Sequence, residues 1–103
     1  MTWVDTFPAE ELAPGRARRA DVDGRRVCVV NCGGEFHAVD DECTHEDYSL
    51  SEGEVWESAC EIECPQHAST FDLKTGEPTC LPATRPVRVY PCRVSEGTVQ
   101  VEI

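Results

Sequence analysis

Cys43-Thr-His45 and, after eighteen intervening residues, Cys64-Pro-Gln-His67 are the two segments on which the reading of this chain turns. Each offers one thiolate and one imidazole in the same order. Four ligands of two kinds, paired in this way, point to a two-iron two-sulfur centre, with Cys43 and Cys64 on one iron and His45 and His67 on the other. Tetrahedral zinc could use the same side chains. Structural zinc sites, however, favour Cys pairs two to four residues apart and His pairs three to five apart, whereas each half-site here mixes the ligand types. A zinc-stabilised interaction module is therefore the rival from a different functional class.

The run Cys-Thr-His-Glu-Asp-Tyr-Ser-Leu-Ser-Glu-Gly-Glu-Val at 43–55, followed by Cys-Pro-Gln-His-Ala-Ser-Thr-Phe-Asp-Leu-Lys-Thr-Gly at 64–76, resembles the Rieske signature. It is similar in particular to the ferredoxins that serve bacterial ring-hydroxylating dioxygenases of the biphenyl, toluene and naphthalene type. The resemblance implies one [2Fe-2S] cluster per chain. It also implies a soluble one-electron carrier between an NAD(P)H-dependent ferredoxin reductase and a terminal non-haem iron oxygenase. A Rieske-type small subunit of another redox enzyme, such as an assimilatory nitrite reductase, is the alternative within the family. Ala68 departs from the Gly often found there, and the chain has more cysteines than the cluster needs.

At 103 residues the chain is long enough for one domain and no more. It carries no apolar run near eighteen residues and no basic start followed by an apolar stretch, so neither a membrane span nor a secretory signal is expected. Membrane-bound Rieske subunits have an N-terminal anchor, which Met1 to Pro14 do not supply. The expectation is a cytoplasmic monomer.

Seven cysteines in so short a chain raise the question of a disulfide scaffold, but the count is odd and a secretory context is missing. Five remain once the cluster takes two. Period-two spacing in Arg25-Arg-Val-Cys-Val-Val-Asn-Cys32 puts Cys28, Val30 and Cys32 on one strand face, a core position. Cys80 and Cys92 fall near strand ends and read as reduced thiols acting as small hydrophobes. Cys60, four residues before Cys64, is the one spare thiol close enough in sequence to stand in for a ligand, although Pro65 and His67 favour Cys64.

Short alternating segments separated by turn dipeptides run along the rest of the chain. Strands are expected at Trp3–Asp5, Ala17–Val22, Arg25–Cys32, Glu35–Asp40, Thr70–Leu73, Val87–Val94 and Thr98–Ile103, with turns at Asp23-Gly24, Gly33-Gly34, Thr75-Gly76 and Glu96-Gly97. Only Ala9–Leu12 hints at helix. The fold class is all-β, a Rieske-type antiparallel sandwich or barrel over residues 1–103, with a small cluster-binding cap at about 42–82. Trp56, behind the Gly53 turn, is expected to pack at the base of the cap. Pro82-Ala83, with Pro86, resembles the proline segment that covers the cluster in this family.

Mixed ligands have an electrostatic consequence. Two ferric ions, two sulfides and two thiolates sum to zero with neutral imidazoles, so the extra electron is easier to accept than on an all-thiolate cluster. By resemblance, His45 and His67 face outward and form the electron exit, with the thiolate-held iron shielded. Within the Rieske range three features favour a low potential. High-potential relatives have a further cysteine in each loop, where this chain has Tyr48 and Gln66. They also have Ser and Tyr hydroxyls bonded to cluster sulfur, where this chain keeps Ser69 but has Phe71. Finally, Asp40-Asp-Glu-Cys-Thr-His-Glu-Asp47 sets five carboxylates around the first half-site. A unit charge at about 8 Å costs roughly 0.5–2 kcal/mol, on the order of 20–90 mV for one electron before screening.

Nine Lys and Arg against 20 Asp and Glu give a net charge of -11. Such a surface disfavours nucleic acid and anionic membrane and favours steering toward a basic patch on a protein partner. Oxygen chemistry at non-haem iron wants two His and a carboxylate. With three histidines in all and two committed to the cluster, His37 alone remains, on a strand. No nucleophile–base pattern and no phosphate loop is present, so catalysis is expected in partner proteins.

Overall fold

The computed structural model describes residues 2–44, 48–65, 69–79, 83 and 85–103. The strands are β1 (Trp3–Pro8), β2 (Arg16–Val22), β3 (Arg25–Cys32), β4 (Glu35–Asp40), β5 (Val55–Trp56), β6 (Glu61–Glu63), β7 (Thr70–Asp72), β8 (Val89–Tyr90), β9 (Cys92–Ser95) and β10 (Thr98–Glu102). They form three antiparallel sheets, in the orders β1-β10-β9, β2-β3-β4-β8 and β5-β6-β7. The expected helix at Ala9–Leu12 is a single 3-10 turn, Ala9–Glu11, and a second follows at Leu50–Glu52.

The hairpins are set by their turns. Asp23-Gly24 and Glu96-Gly97 have positive φ at both central residues, the backbone of the turn whose twist matches right-twisted strands. The β2–β3 and β3–β4 ladders follow in unbroken register, Arg16 opposite Asn31 through Val22 opposite Arg25, and Val27 opposite Asp40 through Cys32 opposite Glu35.

β3 is the organising strand because both of its faces are buried, as a near-continuous apolar run requires. Val27 and Val29 join Phe7, Val22, Ala38, Tyr90, Val99 and Val101 in a core shared with the β1-β10-β9 sheet. Cys28, Val30 and Cys32 point the other way, into a core with Val39, Leu50, Ile62, Phe71 and Leu73 that includes Cys43 and Cys64. The shared face of Cys28, Val30 and Cys32 is the one their spacing implies. Burying a Val or Leu fully contributes about 1.5–3 kcal/mol, so each core holds its own sheet against the centre.

Two expectations need correction. Val87–Val94 is not one strand. Pro91 has no N–H to give to a ladder, and the chain changes sheets there: Val89 and Tyr90 pair with β4, whereas Cys92–Ser95 pair with β10. Trp56 is not a core residue, being 45% exposed. Val55 takes the inward side of β5 and packs on the core, so alternation turns Trp56 outward. Its indole N–H donates to the Glu63 carboxylate at 3.1 Å.

Candidate metal centre

Each thiol of the two segments stands at the mouth of a loop of the same span. In the first, Glu42 bridges to Ser49 and the Cys43 N–H donates to the Tyr48 carbonyl at 2.9 Å. In the second, Glu63 pairs with Thr70 and the Cys64 N–H donates to the Ser69 carbonyl at 2.7 Å. Both necks thus close between residue i and residue i+5, one pair inside a bridge. Sequence spacing hides this equivalence, since the histidines stand two and three residues after their cysteines. His45 and His67 fall outside the described residues, as do Gln66, Cys80 and Pro82.

Cys43 is 3% and Cys64 0% exposed, and both lie in the core lined by Leu50, Ile62, Phe71 and Leu73. Two thiols brought to one apolar face from separate loops suit a pair of thiolates on one shielded metal. Cys60 is not placed as a substitute ligand, because its sulfur is joined to Cys32.

Each loop is tied to the segment that follows β7. The Thr44 hydroxyl donates to the Arg85 carbonyl at 2.8 Å, and the Ala83 N–H donates to Ser69 Oγ at 3.1 Å. Ala83 is itself buried in the core with Cys43 and Cys64. Ser69 is fully buried and accepts from Ala83, so its own hydroxyl hydrogen is left to donate elsewhere. Phe71 is fully buried and offers no hydroxyl.

Of the five carboxylates around the first half-site, the three described ones, Asp40, Asp41 and Glu42, have separate surroundings. Asp40 accepts from the Tyr90 hydroxyl at 2.5 Å, and Glu42 pairs with Arg26 at 3.4 Å on the surface. Asp41 is 1% exposed. Its Oδ1 accepts the Ser51 N–H at 2.8 Å and its main-chain oxygen accepts that of Leu50, pinning the entry of the loop to its exit. Glu46 and Asp47 lie outside the described residues. Burial, with the Asp41 charge adding to it, pushes the Cys28 thiol well above its ordinary range, so Cys28 serves as a neutral packing group. Burial likewise raises Cys92 to about 11. His37 is a strand residue bonded to Glu35 at 2.7 Å.

The sequence matches the Rieske [2Fe-2S] domain family over residues 2–91. The ferredoxin subunit of 3-phenylpropionate/cinnamic acid dioxygenase from Escherichia coli strain K12 is 41% identical over 103 residues, covering 100% of this chain and 95% of that protein. The ferredoxin of carbazole 1,9a-dioxygenase from Nocardioides aromaticivorans IC177 is 38% identical with a TM-score of 0.93, covering 98% of this chain and 97% of that one. A ferredoxin solved in complex with the oxygenase of carbazole 1,9a-dioxygenase gives 38% and 0.89, covering 96% and 91%. The family match displaces the reading of the chain as a zinc-stabilised module. With two equivalent loops, two buried thiols and relatives matched along their length, the chain belongs to the Rieske [2Fe-2S] domain family and is similar over nearly its whole length to the ferredoxin components of dioxygenase systems.

Proposed function

We propose that Cys43 and Cys64 hold the inner iron and His45 and His67 the outer iron of a [2Fe-2S] cluster seated on a cap at about 42–82. On this reading the chain carries single electrons from an NAD(P)H-dependent ferredoxin reductase to a terminal aromatic-ring-hydroxylating oxygenase. The observation that carries it is the matched closure of the two loops, which delivers both thiols to one buried face. When bound, the cluster supplies a reversible one-electron couple. The chain supplies the rest. Leu50, Ile62, Phe71 and Leu73 keep water from the thiolate side, Ser69 offers a hydroxyl hydrogen, and Ala83 and Arg85 tie down the two loops.

The charge distribution suits transient docking. From Val27 to Leu73 the chain has no Lys or Arg, while twelve of its 20 acidic residues fall there, so the ligand-bearing part is the acidic part. Such a surface is steered by a basic patch and releases readily, as small redox encounters require. The working form is a cytoplasmic monomer that engages neither nucleic acid nor membrane. Among the described residues no helix is long and apolar enough to cross a membrane.

The decisive experiment is anaerobic purification followed by iron and acid-labile sulfide analysis, visible absorption and electron paramagnetic resonance after dithionite. Two irons and two sulfides per chain are expected, with a Rieske-type signal and a potential below zero millivolts. A colourless protein without a signal refutes the assignment. Electron delivery to a purified oxygenase should slow as salt rises, and a rate indifferent to salt refutes the steering.

A further inference from the structure

We infer that Cys32 and Cys60 form a reversible dithiol–disulfide couple that clasps the central sheet to the ligand-bearing sheet. Cys32 ends β3 in the central sheet; Cys60 sits in the turn between β5 and β6, four residues before Cys64. Their Cα atoms are 5.7 Å apart across a sequence separation of 28, and their sulfurs are joined. That Cα distance falls within the range a disulfide spans without moving the backbone. The turn is built to present the thiol: Cys60 has φ 54, unusual for a residue with a side chain, and its N–H and carbonyl are engaged by Glu57 and Leu73.

The same geometry serves the reduced pair. Cys32 Sγ lies 3.3 Å from the Glu57 carbonyl, an acceptor for the thiol hydrogen when the bond is open. The Cys32 thiol thus keeps a partner in the reduced state, and whether the pair stands open or closed is set by its potential against the surrounding thiol pool. Both cysteines are core residues that keep a little exposed surface, 9% and 7%, whereas Cys28 on the same face is sealed at 0% and held protonated.

The oxidant is a low-molecular-weight disulfide. One protein thiolate attacks it and forms a mixed disulfide, expelling one small thiol. The second protein thiolate then attacks the protein sulfur and expels the other. Two S–H bonds and one small S–S bond are lost, one protein S–S bond and two small thiols are gained, and two electrons leave the protein. The one-electron centre takes no part. Closure fixes the start of β6, and with it the approach to Cys64, against β3.

The test uses the full chain with its cluster, equilibrated anaerobically in glutathione buffers of stepped oxidised-to-reduced ratio. Samples are acid-quenched, alkylated in denaturant and mapped by mass spectrometry. A cross-link between the Cys32 and Cys60 peptides is expected, half-formed at a definite ratio and lost with dithiothreitol, while Cys43 and Cys64 are alkylated throughout. Cys32→Ser and Cys60→Ser should each abolish it. The oxidised wild type should also keep its visible band at least tenfold longer at elevated temperature than either variant, since closing a loop of this length constrains the unfolded chain. Both thiols alkylated at the most oxidising ratio, glutathione on each singly, a cross-link that dithiothreitol cannot open, or equal bleaching rates would overturn the clasp. The cross-link is read by mass, so its failure is distinguishable from failure of the cluster assignment.

Discussion

Gly53→Ala should strip the protein of its cluster while leaving a recognisable β fold, and the reason is steric. Gly53 has φ -84 and ψ 178, extended backbone that alanine adopts without strain. A Cβ at this position would nevertheless lie 1.6 Å from the Glu63 carbonyl oxygen, 2.9 Å from the Glu63 carbonyl carbon and 3.2 Å from the Leu50 oxygen. Restoring an ordinary contact of about 3.2 Å to Glu63 means moving one wall by roughly 1.6 Å, in a close-packed interior with no slack. Neither wall is loose. Gly53 donates to Leu50 at 2.9 Å, and Glu63 donates to Glu54 at 2.8 Å while pairing with Thr70. Glu63 directly precedes Cys64, and Leu50 and Ser51 are bonded to Asp41, two residues before Cys43. The shift therefore passes between the two thiols, whose distances to metal tolerate only about 0.2 Å. Overpacking of about 1–3 kcal/mol plus about 1 kcal/mol for the Glu63 bond lowers the melting temperature by roughly 8–30 °C. The assay is iron per chain and visible absorption beside a circular-dichroism melt. Gly24→Ala is the control: Gly24 has φ 82 with nothing within 4 Å of the added carbon, so it bears only left-handed backbone strain of about 1–2 kcal/mol and should keep its iron. A Gly53→Ala protein with wild-type iron content refutes the close-contact argument.

Ser69→Ala should keep the cluster but lower its midpoint by roughly 45–65 mV, the equivalent of a hydroxyl bond worth about 1–1.5 kcal/mol more to the reduced state, and redox titration of variant and wild type checks this. Cys43→Ser or Cys64→Ser should give colourless protein whose β signal persists with a lower melting temperature, because the core of Phe7, Val22, Val27, Val29, Val99 and Val101 contains no ligand; iron analysis and circular dichroism read both parts. Cys92 should resist alkylation at pH 8 in the folded state, its pKa standing at about 11 through burial. The folded state favours the neutral thiol, so this contribution to stability is full below the ordinary value of 9.0 and is lost as pH rises toward 11; melts at stepped alkaline pH should fall less steeply for Cys92→Ala than for wild type.

How much of this was legible in the sequence depended on where the deciding interactions lie. Arg25–Cys32 and Glu35–Asp40 read correctly to the residue because turn dipeptides punctuate them and alternation fills them, both local signals. Val87–Val94 read wrongly because its alternation continues through Pro91; the missing N–H there was the local sign of a break, and the two neighbouring sheets decide which partners the halves take. β5 and β6 escaped notice because two or three residues hold too little periodicity to count. Trp56 misled because a large aromatic suggests burial, whereas its side of β5 was fixed by Val55.

The proposed ligand set rests on a different kind of signal, since it is written in chemical identity rather than in periodicity. What spacing concealed is that Cys-x-His and Cys-x-x-His sit in loops whose necks close over the same six-residue span. The backbone closure therefore does not dictate where the imidazole falls; the loops share a frame, and the ligand position within it is set separately in each. A one-residue insertion inside either loop would break the i to i+5 bond and tilt its thiol, whereas exchanging residues between neck and ligand leaves that frame intact. Pairing across the neck, more than the count between ligands, is what the two halves of this site have in common.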